Sequence, residues 1–297
     1  MKRGIIIFTI LTCVALILLL LLFPQIAHEG ADLGVALFME ALFPYLLPYL
    51  ILTGWFIRLT AKPAPKKPIL LYLKTYAISA VGGFPTGAAT ISHLTRQGEL
   101  SHVQAAYLLG ICHVPSPLFL IGFVGYDLFN DTSFSWQYLL LIHGFSFVLL
   151  FFLPKIVPAT VSPVNKSMPK DPFPFSNSVK DSMPTVFIVA ATIIFFTTIY
   201  SVFLHSTDTL FNSFPPSFKL VIASFLEMTN GRFLLHEHLE GHALIYTSVI
   251  LLTTQSLSIH MQVIVLAKTA SISIRPYVMI RLFYSVMIPL LYGLFFL

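Results

Sequence analysis

Residues 81–124 read VGGFPTGAATISHLTRQGELSHVQAAYLLGICHVPSPLFLIGFV, and this stretch decides the fold. It holds two helix-breaking clusters, Gly82-Gly83-Phe84-Pro85-Thr86-Gly87 and His113-Val114-Pro115-Ser116-Pro117, each embedded in apolar sequence. Proline removes a backbone donor and clashes with the preceding turn. Glycine tolerates conformations that other residues resist. Inside a bilayer the freed amides and carbonyls must find partners within the protein. Breaks at membrane depth are therefore tolerated where protein buries them or where they line a wet cavity, as in the broken helices of transporters. Two ordinary loops between short helices are the alternative.

The surrounding chain favours the membrane. Of its 297 residues 57% are hydrophobic and only 10% are charged, against about 25% charged in a soluble domain. Mean hydropathy is +0.86. The expected fold class is all-α: a polytopic membrane protein with two inverted repeats, re-entrant helical hairpins and broken transmembrane helices. Cys13 lies in the first apolar run and Cys112 beside the second break, so no disulfide framework is expected. The net charge of +5 comes from cations in short loops beside apolar spans. That is topology information, not a nucleic-acid signal.

Working outward, Lys2 and Arg3 precede an apolar run over residues 4–23, long enough to cross a bilayer. A secretory signal peptide would have a shorter apolar core and a small-residue cleavage site, so a retained helix is expected. Residues 24–32 read as a polar turn with Glu29 and Asp32. A second span follows over residues 34–59, containing Glu40, Pro44 and Pro48. Glu40 is either an intramembrane acid facing a cavity or partner or a residue near the interface. Arg58, Lys62, Lys66 and Lys67 form the strongest cationic cluster, which predicts a cytoplasmic side. The arms flanking the Gly-Phe-Pro-Thr-Gly turn are too short to be two spans, so they predict a re-entrant hairpin entering from the cytoplasm.

Residues 103–126 then cross outward through the Pro-Ser-Pro break, and residues 136–152 return with Trp136 and Tyr138 as interface anchors. Residues 154–184 are rich in Pro and Ser and carry Lys155, Lys166, Lys170 and Lys180, which predicts an irregular cytoplasmic linker. The expected organisation is an N-terminal half at 1–153, the linker at 154–184 and a C-terminal half at 185–297. In the second half, residues 185–204 form a span and residues 218–228 a short arm ending at the turn Thr229-Asn230-Gly231. Residues 243–252 run inward to a third interruption, Thr253-Thr254-Gln255-Ser256, and the last span covers residues 276–297.

The halves resemble each other. Residues 74–117 and 219–258 each begin with a lysine in an apolar arm and reach a Gly-ended turn, at Gly87 and Gly231. Each continues through a short polar return into a long span with a polar break. Charge placement has the first hairpin entering from the cytoplasm and the second from outside. That is the inverted-repeat layout of a secondary transporter, with its site at the repeat interface.

The motifs GGFPTGAAT, PSPLFLIGFVG, FLEMTNG and SLSIHMQV resemble those of bacterial sporulation integral membrane proteins of the YlbJ/SpoVV type, within the wider Gate or nucleoside-recognition domain family. The resemblance runs from about residue 70 to the C-terminus. It departs where Thr253-Thr254-Gln255 replaces a Gly-rich approach to SLSIHMQ. The resemblance implies a fold similar to concentrative nucleoside carriers. It also implies passage of dipicolinic acid, a small aromatic dicarboxylate, across a membrane during spore formation. The implied location is the bacterial cell membrane, with the outer forespore membrane as one candidate.

A dicarboxylate needs hydrogen-bond donors and positive potential, and helix N-termini supply both. The substrate-binding candidates are Pro85, Thr86, Gly87, Pro115, Ser116, Pro117, Thr229, Asn230, Gly231, Gln255 and Ser256. Lys74 and Lys219 either add charge to the site or snorkel to the interface. His113 and His260 are either proton relays or hydrogen-bonded packing residues. Glu227 is the candidate coupling acid, with a structural contact to Lys219 or Arg232 as the alternative.

The cluster His236, Glu237, His238, Glu240, His242 lacks the HExxH spacing, so it reads as a solvated loop and no metal is expected. No P-loop and no nucleophile–base signature occurs, so neither an enzyme nor a cofactor is expected. The expected partners are a dipicolinate-like anion and the lipid bilayer, with no nucleic acid; a homo-oligomer stays open. Three functions compete: a transporter of a small organic anion, a nucleoside carrier of the same superfamily, and a non-transporting scaffold for spore assembly.

Overall fold

The computed structural model describes residues 2–59, 68–157, 172–211, 215–229, 231, 235 and 238–297. Lys62, Lys66, Lys67, Lys166, Lys170, Asn230, Arg232, His236 and Glu237 lie outside the described residues. Among the described residues the regular structure is helical throughout, with no strand. That is the economical solution for an apolar chain, because a helix satisfies its own backbone groups.

The elements run α1 Lys2–Leu22, α2 Pro24–Leu37, a π-helical turn Phe38–Leu42, α3 Phe43–Leu59, α4 Pro68–Gly82, α5 Phe84–Arg96 and α6 His102–Ile111. A π-helical segment Phe119–Phe129, α7 Ser133–Ile156, α8 Pro174–Phe211, α9 Pro216–Leu226, α10 Gly241–Thr254, α11 Leu257–Lys268 and α12 Arg275–Phe296 follow. Among the described residues five stretches are long and apolar enough to cross a bilayer: Arg3–Leu22, Ser133–Ile156, Pro174–Thr209, Gly241–Lys268 and Arg275–Phe296. Large apolar side chains such as Phe8, Leu140, Phe187, Met279 and Leu294 stand exposed, as on a surface that meets lipid. The chain is an all-α multi-pass membrane protein.

The helices pack around two apolar clusters. α2, α3 and α8 make a scaffold around Phe38, Leu46, Leu50, Val186, Val189 and Ile193. The remaining helices from α4 onward share a larger core in which Tyr72, Tyr76, Tyr138, Tyr277, Tyr284 and Tyr292 are fully buried. Buried phenols need partners, and these ties cross the core: Tyr76 to His143 at 2.6 Å, Tyr284 to Ser146 at 2.8 Å, Tyr292 to Gln137 at 2.7 Å. Tyr138 belongs to this set and bonds Thr253 at 3.1 Å. It is therefore a core residue and not an interface anchor, whereas Trp136 is exposed.

Two segments differ from the sequence expectation. Residues 24–32, expected as a polar turn, are helical within α2. The reason is tertiary: Gly30 and Gly34 let α2 lie directly on α8. A Cβ at Gly30 would stand 2.8 Å from the Ser201 Cβ, and one at Gly34 would stand 2.7 Å from the Ile194 Cα. Small residues four apart permit such close helix contact in membranes.

The segment at 154–184 is helical at both ends, since α7 reaches Ile156 and α8 begins at Pro174. Contacts with α3 hold the early turns of α8: Trp55 packs edge-on against Phe175 at 5.4 Å, and Arg58 pairs with Asp181. Ser178 and Ser182 back-bond to the carbonyls of Pro174 and Ser178 at 2.7 Å each. The scaffold is thus built from both sides of the linker.

Candidate functional site

α4 and α5 pack as an antiparallel pair joined by one residue, Gly83, at φ +80° and ψ −167°. At 15 and 13 residues the arms extend about 22 and 20 Å, short of the ~30 Å of hydrocarbon. The turn is tighter than Gly-Phe-Pro-Thr-Gly suggests. Phe84 already starts α5, because Pro85 presets a helical φ in the first turn. Gly87 therefore lies inside α5 and not in the turn. Its role is close approach: a Cβ there would stand 2.9 Å from the Cys112 carbonyl and 3.2 Å from the Ser79 Cβ.

The second break spans residues 112–116. Helix resumes at Pro117, and the Ser116 hydroxyl accepts from the Phe119 N–H at 3.2 Å, an N-cap. The second hairpin breaks at Glu227, earlier than Thr229-Asn230-Gly231 suggests. Glu227 is extended at φ −144° and ψ 123°, while Met228 and Thr229 are already helical. The Gly231 N–H donates to the Glu227 carbonyl at 3.2 Å. The third break is Gln255, at φ +63°, with Ser256 as the N-cap position of α11.

Three of these helix starts meet in one cleft. Gly83, Phe84 and Pro85 come from the first hairpin, Ser116 and Phe119 from the second break, and Glu227, Met228 and Thr229 from the second hairpin. Ile259 and Gln262 of α11 close one wall. The scaffold closes the other through Leu42, Leu46, Tyr49, Val189 and Ile193. The cleft is partly open, and its empty space, solvent at the mouth included, is about 730 Å³. The arrangement offers helix N-termini, aromatic faces and a few hydrogen-bonding groups, as small-molecule sites do. Its acid is Glu227, 2% exposed, which accepts from the Thr229 hydroxyl at 3.3 Å.

Of the sequence candidates, Pro85, Ser116, Glu227 and Thr229 line this cleft. Thr86 faces a second cleft, beyond the tip. Pro115, Pro117, Gly231, Gln255 and Ser256 do not line the central cleft; Gln255 and Ser256 are buried behind it. Asn230 lies outside the described residues. The lysines stand elsewhere too. Lys219 pairs with Asp208 at 2.8 Å, and Lys74 lies near Glu99 in the turn after α5. Glu40 is exposed in the π turn.

The two histidines meet behind the first tip. The His113 ring packs 5.0 Å from Phe84, 5.5 Å from Tyr277 and 6.5 Å from His260. The His260 Nε2 lies 3.0 Å from the Thr254 carbonyl, which can only accept, so Nε2 carries the proton. Its Nδ1 then accepts from the Tyr277 hydroxyl at 2.6 Å.

One residue escaped the sequence reading. Arg281 on α12 is 3% exposed and donates to both broken helices: Nη1 to the His113 carbonyl at 3.0 Å, Nη2 to the Thr253 carbonyl at 2.7 Å. Its guanidinium also lies 4.9 Å over the Tyr284 ring. Carbonyls freed at a break are the negative ends of helix dipoles, so one cation satisfies both. The signal was present in the sequence: a lone arginine at the sixth residue of the last apolar span, where intramembrane charge is costly.

No protein-family model matches this chain, and no solved structure does. Among curated proteins it is similar to the sporulation integral membrane protein YlbJ of Bacillus subtilis (strain 168), with 28% identity over 128 residues. The match covers 37% of this chain and 30% of that protein, so the chain accounts for less than a third of its relative's length.

Proposed function

We propose that this protein is a membrane transporter that moves a small organic anion, dipicolinate or a close analogue, during bacterial sporulation. The observation that carries the reading is the convergence of three helix N-termini on one aromatic-walled cleft. The helix starts that follow Gly83, Ser116 and Glu227 turn their positive dipole ends and first-turn amides toward a planar dicarboxylate, and Phe84 and Phe119 give it ring faces. The relative's name supplies the sporulation context, and the motif resemblance supplies the cargo class and a cell-membrane location, the outer forespore membrane included. In this reading the two hairpins and two broken helices are an inverted repeat, and the cargo passes unchanged. Glu227 takes up the coupling proton or cation, which removes its repulsion of the anion.

A nucleoside is the second reading. The observation favouring it is that the described lining of the cleft contains Glu227 and Gln262 but no lysine or arginine. Flux into proteoliposomes separates the two. Dipicolinate uptake that excess uridine leaves unchanged supports the first reading. Uridine uptake without dipicolinate uptake supports the second, and uptake of neither leaves the scaffold. In Ser116→Ala, loss of one hydrogen bond to a charged group, roughly 1.5–3 kcal/mol, raises the apparent KM about ten- to a hundredfold. An unchanged KM would take the cargo away from that helix end.

A further inference from the structure

The seam between scaffold and core opens again beyond the central cleft. A second cavity of about 1020 Å³, open solvent at its mouth included, lies there, walled by α3, α5, α8 and α11, each of which also lines the central cleft. On α3 the lining passes from Leu46 to Leu50, on α5 from Pro85 to Thr86, and on α11 from Gln262 to Leu266. Each step is four residues or fewer, so the two spaces are separated by at most about 6 Å along the helix axes. Leu46, Leu50 and Val189 belong to one apolar cluster, and Ala89 packs against it. These side chains form the partition.

The two compartments differ in charge. The described lining of the second sets Arg58 and Arg96 against one carboxylate, Asp181. Arg58 is held by Asp181; their side chains are 12% and 62% exposed. Arg96 Nη1 donates to the Thr269 hydroxyl at 3.1 Å. All these groups sit at the helix ends that the cation distribution assigns to the cytoplasm.

We propose that the second cavity is an anion-selective vestibule that binds small carboxylates and delivers them to the central cleft. Arg58–Asp181 is its exchangeable latch. A guanidinium offers a fork of donors that fits any carboxylate, so an incoming anion takes the place of the exposed Asp181 on Arg58. No bond is made or broken. Delivery onward rests on the transport reading; capture at the vestibule does not.

The test uses the full chain in nanodiscs, with Cys13→Ser and Cys112→Ala as background and Ser182→Cys, on the cavity wall, as reporter. Thiol modification is followed with an anionic (sulfonatoethyl) and a cationic (trimethylammonioethyl) methanethiosulfonate. Corrected for intrinsic reactivity, the anionic reagent should react about tenfold faster at low salt, the lower end of field focusing in a charged cleft. Arg58→Gln with Arg96→Gln should erase the preference, Arg58→Lys should keep it, and Asp181→Asn should increase it. Millimolar dipicolinate or benzoate should slow modification. Equal rates for the two reagents, or no protection, overturn the proposal. So does blockade in phosphatidylglycerol discs without added carboxylate, which hands the cavity to a lipid headgroup. Charge preference without cargo flux defeats transport and leaves the vestibule standing; flux without charge preference defeats the vestibule alone.

Discussion

At the tip of the first hairpin stands Gly83, at φ +80° and ψ −167°. At the tip of the second stands Glu227, at φ −144° and ψ 123°. Each is the non-helical link at which one helix ends and helical backbone resumes, and each lines the central cleft. Gly83 brings a bare backbone against the second break: a Cβ there would stand 3.1 Å from the Ser116 nitrogen and 3.2 Å from its Cβ. Glu227 brings a buried carboxylate. A break in ordinary extended geometry accepts any side chain, so the second tip is free to carry chemistry. The first is committed to glycine by its dihedrals.

The sharpest way to break this comparison is to remove what both halves share. Arg281 clamps the first half at the His113 carbonyl and the second at the Thr253 carbonyl. Arg281→Leu leaves two buried carbonyls unsatisfied, at about 1–3 kcal/mol each, so the expected loss is about 2–6 kcal/mol. Thermal unfolding in detergent, followed by monodispersity, measures it. Arg281→Lys keeps the charge but loses the fork, and should recover part of the loss. A wild-type melting point for Arg281→Leu would mean that the two breaks are satisfied independently.

The next largest effect is at the first tip. Gly83→Val forces a β-branched residue into a region open only to glycine, a cost of order 1–3 kcal/mol, and thrusts its Cβ at Ser116. Glu227→Val, with no dihedral conflict, should unfold at a higher temperature than Gly83→Val. The opposite order would show that the Glu227 side chain, and not the Gly83 backbone, sets hairpin geometry.

The tips also show what a sequence discloses. Apolar runs interrupted by Gly, Pro or polar clusters located the two hairpin tips, the Pro-Ser-Pro break and the Gln255 break to within a few residues, because backbone chemistry decides them locally. The first turn was drawn too wide, although it contains Gly83, and the second was placed too late. Pro85 lets helix begin at Phe84, and Glu227 precedes the turn-forming Thr-Asn-Gly. What depends on a partner was not legible. Gly30 and Gly34 matter only because α8 lies on them, and residues 174–184 are helical where α3 packs against them. Convergence of the three helix starts needed the fold. So did Thr86 facing away from Ser116, and the arginine that joins the breaks.

A smaller effect separates structure from chemistry at the second tip. In Glu227→Gln the amide oxygen still accepts from Thr229, so stability should change by less than about 1 kcal/mol. Transport should lose its dependence on the coupling gradient, measured as flux with and without an imposed pH or sodium gradient. A gradient response identical to wild type would reduce Glu227 to a packing residue and make the tips functionally alike.

The smallest expected effect concerns the lysines that open the two hairpins. Lys219 and Asp208 pair at 2.8 Å with side chains 26% and 39% exposed, a surface interaction of about 0–1 kcal/mol. Lys74 instead lies near Glu99, whose carboxyl burial pushes up from its ordinary 4.5 while the lysine pulls it back. The net direction is upward, so burial outweighs the lysine. A raised carboxyl means that the folded state prefers the protonated form. Ionised Glu99 therefore costs stability above its folded pKa, and the cost vanishes below the ordinary value. Glu99→Gln removes the charge. It should stabilise the protein near pH 7.5 by about 0.5 kcal/mol, the usual scale for a change outside the core. That gain should shrink as pH falls from the folded pKa towards the ordinary 4.5. Melting points of wild type and Glu99→Gln at both ends of that range check the sign. A variant less stable than wild type at pH 7.5 would mean that attraction to Lys74 outweighs burial. The two lysines would then be equivalent surface partners, and this difference between the hairpins would disappear.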